Sequence, residues 1–152
     1  MGGTIVCGVV DTEQARDAAG LAAALGERLG LRLVLVTAVD ATPGGDASVT
    51  ARQEQDGARR MLGELAGSAG GDAEGRIVVG DRAEGIARVA AEEGADLIVL
   101  GSRPGGFGGR RLRCGLAAAL EAVTPVPVLI APPATRRRSS RRLAQPVELA
   151  TR

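Results

Sequence analysis

The sequence predicts a single α/β domain, with a parallel sheet covered by helices on both faces, and three observations lead to it. Five short apolar runs rich in Val, Ile and Leu alternate with four segments of helical periodicity. Most of these runs are continuously apolar, as strands buried on both faces are. The length of 152 residues suits one domain. Alternating strands and helices indicate βαβ crossovers, and therefore parallel strands.

The apolar runs give the predicted strands, which are Thr4–Val10, Leu31–Val39, Arg76–Val79, Asp96–Leu100 and Val126–Ala131. The first helix is predicted from Thr12 to Leu29, and Gly30 follows it as a stop signal. Its small and apolar side chains form one stripe, namely Ala15, Ala18, Ala19, Ala22, Leu25 and Leu29.

Three further helices are predicted from the same periodicity. The second spans about residues 49–68, with Ala58, Met61, Leu62 and Leu65 on its apolar face. The third spans about residues 82–93, with Asp81 as its N-cap, Gly94 after it, and a solvated end at Glu92 and Glu93. The fourth spans about residues 116–123, with Leu116, Ala119, Leu120 and Val123 on one face, and it ends at Thr124-Pro125.

The composition excludes several kinds of catalytic site. The chain contains no histidine, which excludes a Ser-His or Cys-His pair and a His-ligated zinc site. All 19 basic residues are arginines, so Schiff-base chemistry and a P-loop lysine are excluded too. With one Phe and no Trp or Tyr, stacking of aromatic side chains on nucleic-acid bases is almost unavailable.

The two cysteines and the hydropathy pattern indicate a cytoplasmic protein with reduced thiols and no membrane partner. Cys7 and Cys114 are too few for a disulfide framework, and no apolar run approaches 18 residues. Cys7 is expected to be a core residue. Cys114 follows Arg113 near a predicted helix N-terminus, a setting that lowers a thiol pKa, so a redox-sensing role is the alternative to a structural one.

The charge is unevenly distributed and predicts a boundary between a domain at residues 1–133 and a tail at residues 134–152. The tail holds six arginines against Glu148, a net charge of +5, whereas the whole chain carries +1 and residues 1–133 therefore −4. We expect a disordered, solubilising tail. Two alternatives remain, an electrostatic arm for nucleic acid or an acidic partner, and a kinase target at Ser139 or Ser140. Outside the tail, nucleic-acid binding is not indicated.

A glycine-rich stretch from Gly101 to Gly115 lies between the fourth strand and the fourth helix. Glycines let backbone N–H groups approach an anion closely, and the following helix directs its positive end into the same stretch. Its four arginines, Arg103, Arg110, Arg111 and Arg113, add charge suited to phosphate. Residue types alone leave a phosphate cradle and a solvent-facing loop equally open.

Two familiar nucleotide motifs are excluded. A dinucleotide-binding GxGxxG would follow the first strand, but the turn there is Val10-Asp11-Thr12-Glu13 and contains no glycine. A Walker A loop requires a lysine. Asp11 itself is either a ligand for a bound molecule or a cap on the helix that follows.

Four segments together resemble the universal stress protein family, in its UspA-like form. They are Val10-Asp11-Thr12 after the first strand, Gly80-Asp81-Arg82-Ala83-Glu84, Ala95-Asp96-Leu97-Ile98-Val99-Leu100-Gly101-Ser102-Arg103 and Pro125-Val126-Pro127-Val128-Leu129. The resemblance covers about residues 3–132. It implies a Rossmann-like, five-stranded parallel sheet in the order 3-2-1-4-5 and a homodimer formed through the last strand.

The resemblance also implies a nucleotide site, because some family members bind ATP through the pattern G-x2-G-x9-G-[ST]. Bound ATP, with Mg²⁺ or Mn²⁺, would lie at the carboxyl ends of the strands. The expected nucleotide-binding residues are Val9, Asp11, Ala38, Leu100, Gly101, Arg103, Gly105, Gly115, Leu116 and Ala117. Adenine is expected near Asp11 and Ala38, and the phosphates over residues 101–116.

The sequence departs from that pattern twice. Three residues rather than two separate Gly101 from Gly105, with Pro104 as the extra one, and Leu116 stands where the pattern has a hydroxyl residue. The leading hypothesis is a stress-response regulator that binds ATP with little or no turnover and acts on an unidentified protein partner. The alternative is a nucleotide-free dimeric interaction module of the same family. An ATP-consuming enzyme of a related α/β group is a third hypothesis, and the lack of a Ser-Gly-Gly-type loop after the first strand and of any Lys or His counts against it.

Overall fold

Strands and helices alternate throughout the residues that the computed structural model describes, which are 2–9, 13–39, 47–70, 72–102 and 115–132. The strands are β1 (Thr4–Gly8), β2 (Arg32–Val39), β3 (Glu74–Val79), β4 (Ala95–Gly101) and β5 (Val128–Ala131). The helices are α1 (Glu13–Leu29), α2 (Ala47–Ser68), α3 (Arg82–Glu92) and α4 (Leu116–Val123). Each lies within a few residues of its predicted position.

The strands form one parallel sheet in the order β3-β2-β1-β4-β5, which confirms the predicted fold class and strand order. Gly8 of β1 is in register with Val36 of β2 and with Leu100 of β4. Gly101 of β4 is in register with Ala131 of β5. The carboxyl ends of four neighbouring strands therefore lie along one edge of the sheet.

Side chains of the sheet pack into a separate core on each face. Ile5 and Cys7 of β1, and Val9 just after it, belong to a core formed with α1 and α2, whereas Val6 belongs to a core formed with α3 and α4. Successive side chains of a strand point to opposite faces, so a central strand covered on both sides must be apolar throughout. The continuously apolar runs of the sequence are explained by this double burial.

The predicted apolar face of α1 is confirmed for its alanines and wrong at its last residue. Ala15, Ala18, Ala19 and Ala22 are buried. Leu29, however, is 62% exposed. Gly30, at φ 67°, turns the chain there, and Leu31 packs on the core in its place.

Strand β5 begins at Val128, two residues later than predicted. Pro125 and Pro127 flank Val126, and proline has no N–H to donate to a neighbouring strand. The carbonyl of Pro127 still accepts a hydrogen bond from the Ile98 N–H at 2.9 Å. Pro127 therefore bonds to β4 as an acceptor, and regular strand pairing begins with the next residue, Val128.

The start of α3 confirms the predicted cap. The carboxylate of Asp81 accepts a hydrogen bond from the Glu84 N–H at 2.9 Å, the usual interaction of an N-cap with the third helical residue. Gly80 before it has φ 105°, and Gly94 after the helix has φ 60°. Both lie in the left-handed region, which glycine adopts without strain.

The end of α3 differs from the prediction, because Glu93 is not a solvated residue. Its side chain is only 13% exposed and forms ion pairs with Arg76, at 2.8 Å, and with Arg32. Arg76 also pairs with Glu92 at 2.8 Å. Partners on β2 and β3 make these contacts, so helical periodicity alone does not indicate them.

The aspartate of the Asp-Leu-Ile-Val-Leu-Gly segment has a structural role at the start of the sheet. The register between β1 and β4 shifts between Thr4 and Ile5, which leaves Asp96 opposite no residue of β1. Its carboxylate accepts a hydrogen bond from the Thr4 N–H at 3.0 Å. Asp96 therefore satisfies a backbone donor that the irregular pairing leaves without a strand partner.

Within the described ranges, no helix has the length and hydropathy needed to cross a membrane.

Candidate functional site

The carboxyl edge of the sheet holds the described members of the expected nucleotide-binding set. Beyond β1, the Val9 N–H donates to the Val36 carbonyl at 2.8 Å, so the pairing of β1 with β2 extends to the edge. The Gly80 N–H donates to the Val39 carbonyl at 3.0 Å, where β3 turns into α3. In open parallel sheets, ligands bind at this edge, where the strand order reverses. Here it reverses between β1 and β4.

Four expected residues share one face at this edge. Leu100 belongs to the core between the sheet and helices α3 and α4, and Ala38, Leu116 and Ala117 pack against that core. Val9 lies on the opposite face, in the core under α1 and α2. The set therefore spans the edge from one face to the other.

Three expected residues, Asp11, Arg103 and Gly105, lie outside the described residues. The same is true of Pro104, Cys114 and the other arginines of the glycine-rich stretch, Arg110, Arg111 and Arg113. Their proposed roles stay predictions from the sequence.

Gly101 has a packing role that the sequence pattern does not reveal. A Cβ atom at this position would lie 2.8 Å from the carbonyl oxygen of Gln14, in the first turn of α1. Real Cβ atoms do not approach backbone this closely, so α1 can lie against the end of β4 only because residue 101 is glycine. Gly101 therefore matters for helix–sheet packing whether or not a ligand is bound.

Among the described residues, no side chain caps the N-terminus of α4. Gly115 is the N-cap, and it makes no side-chain hydrogen bond to the first turn. A Cβ atom there would meet no described atom within 4 Å. The first N–H groups of a helix lack intrahelical acceptors and favour an anion. A phosphate group is one ligand that such a terminus accommodates.

Ser102 is the residue that sequence reasoning missed. Its N–H donates to the Ala131 carbonyl at 3.2 Å, directly beyond β4, while its hydroxyl oxygen is buried and has no hydrogen-bond partner among the described residues. A buried hydroxyl without a partner costs about 1–3 kcal/mol. The available signal was its position in Gly101-Ser102-Arg103, one residue after the strand end.

The expected core role of Cys7 is confirmed. The side chain is fully buried, and burial raises the pKa of its thiol to about 12. A thiol with such a pKa is neutral at physiological pH and is therefore a poor nucleophile and metal ligand. Among the described residues, no group of three or more His, Cys, Asp or Glu side chains is arranged to hold a metal ion.

Two surface grooves lie away from this edge. One, of about 410 Å³, runs between α2 and β3 and includes Arg59, Leu62 and Arg76. The other, of about 320 Å³, separates α1 from α2 and includes Arg16 and Glu64. Both are open, and neither contains an expected nucleotide-binding residue.

Three solved structures of universal stress proteins are similar to this fold. One from Burkholderia pseudomallei has 29% identity and a TM-score of 0.67, covering 86% of this chain and 96% of that chain. A universal stress protein in complex with cAMP has 23% identity and a TM-score of 0.69, covering 87% and 98%. One from Archaeoglobus fulgidus, in complex with dAMP, has 19% identity and a TM-score of 0.63, covering 86% and 98%. At the two lower identities the likeness concerns the fold alone.

A family comparison agrees with the strand order and the motif segments. No curated protein sequence matches the chain at a significant level. The model of the universal stress protein family matches residues 1–132, which include all nine strands and helices described above. The chain belongs to the universal stress protein family.

Proposed function

We propose that this protein binds an adenine nucleotide, ATP, at the carboxyl edge of the sheet and acts as a stress-response regulator with little or no turnover. The observation that carries the proposal is the meeting of three features at one edge. They are the half-buried Ala38, the hydroxyl of Ser102 and the N-terminus of α4 at Gly115, the last two without a side-chain partner in the part of the chain that the structure describes. Together they offer an apolar surface, a hydroxyl and backbone N–H donors to a single ligand.

The adenine is assigned to the end of β2. Ala38 is small and half-buried on the face that α4 covers, together with Leu116 and Ala117. A flat, mostly apolar base suits such a surface, and the backbone near the strand end supplies the polar contacts. The resemblance places Asp11 beside the adenosine, where its carboxylate would accept hydrogen bonds from the ribose.

The phosphates are assigned to the open end of α4 and to Ser102. The N–H groups of the first helical turn and the Ser102 hydroxyl are donors suited to phosphate oxygens. Arg103 and Gly105 would complete this part of the site. A divalent cation, Mg²⁺ or Mn²⁺, would be held chiefly by the phosphates themselves, as Mg²⁺ in nucleotide sites commonly is.

Little turnover follows from the side chains available. The chain has neither histidine nor lysine to activate water or to stabilise a leaving phosphate. Bound nucleotide would therefore act by shifting the population of one conformational or assembly state. The output would be altered binding of an unidentified protein partner.

A homodimer through β5 is part of the proposal. β5 is an edge strand, and Leu129 and Ile130 on it are exposed, as is Val123 of the adjacent α4. The apolar face predicted for α4 is thus wrong at Ala119 and Val123, which are both exposed. Exposed apolar side chains beside an open strand edge suit pairing with a second copy.

The nucleotide-free interaction module remains the second candidate, and Leu116 favours it. A hydrogen bond to a charged group is worth roughly 1.5–3 kcal/mol, so the hydroxyl missing at this position weakens phosphate binding by one to two orders of magnitude. Leu116→Ser restores the hydroxyl residue of the family pattern and leaves the extra residue between Gly101 and Gly105 in place. Under the nucleotide proposal, this variant binds ATP about tenfold to a hundredfold more tightly than the unmodified chain.

Calorimetric titration with Mg-ATP, AMP and GTP tests the proposal. We expect both adenine nucleotides to bind and GTP to bind more weakly. Gly115→Trp should abolish binding, because Gly115 is open to solvent and an indole there blocks the end of α4 without a core clash. Gly57→Trp, on an open position of α2, is the matched control. Absence of binding by both the unmodified chain and Leu116→Ser would leave the interaction module as the function.

The division into a domain at residues 1–133 and a tail at 134–152, and the location in the cytoplasm, stay predictions from the sequence.

A further inference from the structure

β3 is an outer strand of the sheet, and among the described residues its backbone pairs on one side only, with β2. The Gly80 N–H donates to the Val39 carbonyl, which identifies the residues of β3 that face β2. Alternate residues of a parallel strand direct both backbone groups to the same side. The N–H and C=O groups of Gly75, Ile77 and Val79 therefore point to the open side. Such a row of donors and acceptors is a template for a further strand.

A groove of about 410 Å³ lies beside this open strand, between β3 and α2. The uncharged residues that line it are small or apolar, namely Leu62, Gly63, Ala66, Gly75 and Ile77. Met61 and Glu64, on the other flank of α2, line the second groove, which faces α1. The groove between β3 and α2 therefore opens at the outer edge of the sheet.

Two glycines leave room in this groove. A Cβ atom at Gly75 would lie 3.1 Å from the Cβ atom of Leu62, so β3 and α2 approach closely there. Gly63 is exposed, and a Cβ atom on it would meet no described atom within 4 Å. A large side chain at position 63 therefore fills the groove without a clash in the core.

The charges around the groove favour an anionic occupant. In the described part of the chain, both charged residues that line it are arginines, Arg59 and Arg76. Arg76 is held by Glu92 and Glu93, each at 2.8 Å. Arg59 is 69% exposed, and its ion pair with Asp56 is long, at 3.7 Å. The guanidinium of Arg59 is therefore the group best able to bind a carboxylate from outside.

We propose that the open edge of β3 and this groove form a docking site for an extended, acidic segment of a partner protein, which pairs with β3 as a sixth strand. Backbone hydrogen bonds to the edge supply affinity, and alternate side chains of the added strand supply specificity. On the face toward α2, an apolar side chain contacts Leu62 and Ile77. A carboxylate at the next position on that face pairs with Arg59.

A second copy of the chain fits this surface less well. β5, the other outer strand, is Val128–Ala131 and contains no carboxylate. The side chains of β3 on the face toward α2 belong to Gly75, Ile77 and Val79, which are uncharged. Neither outer strand of a second copy thus supplies an acidic partner for Arg59. The groove includes no residue of the candidate nucleotide site, so this surface goes beyond the proposed nucleotide function.

The test uses a labelled heptapeptide, Thr-Glu-Thr-Val-Thr-Glu-Thr. Its sequence is symmetric, so it presents Glu, Val and Glu on one face in either strand direction. A second peptide has Lys at both Glu positions. Fluorescence anisotropy measures the affinity of each peptide for the unmodified full-length chain and its variants. Gly63→Trp fills the groove, and Gly57→Trp, at an exposed and open position of α2 outside the groove, is its matched control.

The unmodified chain and Gly57→Trp are expected to bind the Glu peptide within about twofold of each other, and Gly63→Trp to lose at least about tenfold. Arg59→Glu should reverse the preference, so that the Lys peptide binds more tightly. Arg60→Glu, on an exposed residue outside the groove, should leave the preference unchanged. In amide NMR spectra, the Glu peptide should shift the signals of Gly75, Ile77 and Val79.

Four results would overturn the inference. They are no saturable binding of the Glu peptide to the unmodified chain, equal affinity of Gly63→Trp and Gly57→Trp, equal affinity for the Glu and Lys peptides, and amide shifts confined to β5. Self-association of the unmodified chain that Gly63→Trp abolishes and Gly57→Trp keeps would make a second copy the occupant instead. Sedimentation equilibrium of the three chains measures this.

Discussion

Cys7 lies in the central strand of the sheet, and we expect the burial of its thiol to make the stability of the fold depend on pH in the alkaline range. Burial raises the pKa of this thiol to about 12 from an ordinary value of 9.0. Between those values the unfolded chain releases a proton that the folded chain keeps, so stability falls as pH rises. A difference of three pKa units corresponds to about 4 kcal/mol. With no Lys or Tyr in the chain, few other groups titrate there.

Urea unfolding measured under reducing conditions from pH 8 to 11 checks this effect. The free energy of unfolding should fall with a slope near 1.4 kcal/mol per pH unit above about pH 9, in the unmodified chain and in Cys114→Ala. In Cys7→Ala the slope should be nearly flat, although that variant starts from a lower stability. An unchanged slope in Cys7→Ala would contradict the assignment.

Gly101 provides a second prediction at the residue scale. Gly101→Ala brings a methyl group against the Gln14 carbonyl, and α1 must shift, at a cost of about 1–3 kcal/mol in the free energy of unfolding. Gly20→Ala, in the open middle of α1, should instead stabilise the fold by up to about 1 kcal/mol. Chemical denaturation distinguishes the two, and equal stabilisation of both variants would contradict the close approach.

The roles of some single residues could be predicted from the sequence, and those of others could not. Periodicity and end signals identified Asp81 as a cap and Cys7 as a core residue, because both depend on their immediate sequence surroundings. They did not identify the buried Ser102 hydroxyl, which has no hydrogen-bond partner in the described ranges, or Gly101 as a packing contact. Those properties depend on β5 and α1, which lie far away along the chain.

At the scale of elements, ion pairs connect the end of α3 to strands β2 and β3. Glu93 is mostly buried between Arg32 and Arg76, whereas Glu92 is 50% exposed and pairs with Arg76. Two elements hold Glu93 in place, so its pairs lose less entropy on forming than those of a free surface residue.

Glu93→Gln should therefore lower the free energy of unfolding by about 1–2 kcal/mol, while Glu92→Gln changes it by less than about 0.5 kcal/mol. Thermal unfolding at low salt measures both, and 1 M NaCl should reduce the difference between them. Equal effects of the two substitutions would show that the burial of Glu93 makes no additional contribution to the free energy of unfolding.

Element boundaries were predicted to within about two residues because strands and helices carry their own periodicities and end signals. The remaining differences, in the start of β5 and in the burial of helix faces, have causes in proline chemistry or in tertiary packing. β5 starts late because Pro127 has no N–H, and Leu29 and Val123 are exposed although their helical positions predict burial. Helical periodicity identifies the apolar face of a helix. How many residues of that face are buried depends on the neighbouring elements that cover it.

At the scale of the whole molecule, the proposed homodimer can be tested at the two outer strands of the sheet, β5 and β3. Ile130 on β5 is 47% exposed beside Leu129 and Val123, whereas Val79 on β3 is exposed with no other exposed large apolar residue on that strand. Ile130→Arg should give a monomer of about half the mass of the unmodified protein in sedimentation equilibrium. Val79→Arg, on the opposite edge, should leave the dimer intact. If Val79→Arg dissociates the dimer and Ile130→Arg does not, the interface is formed by β3 instead of β5.

The strand order was predictable because the four motif segments together resemble the universal stress protein family, which implies the order 3-2-1-4-5. A ligand site at the carboxyl edge was expected because parallel sheets bind ligands there, and it stays a prediction. The site itself was predictable only in part. The sequence indicates glycines, arginines and the substitution at Leu116. How the end of α4, Ala38 and Ser102 come together depends on how helices pack over the sheet edge.

The most direct measurement uses the absence of Trp and Tyr, which leaves the protein with little absorbance at 280 nm. The purified chain is soaked with Mg-ATP, desalted and denatured with acid, and the released nucleotide is quantified by chromatography. If the nucleotide site exists, the unmodified chain and Gly57→Trp release ATP or AMP in stoichiometric amount, and Gly115→Trp releases none. A supernatant free of nucleotide after soaking would contradict a tight adenine-nucleotide site at the carboxyl edge.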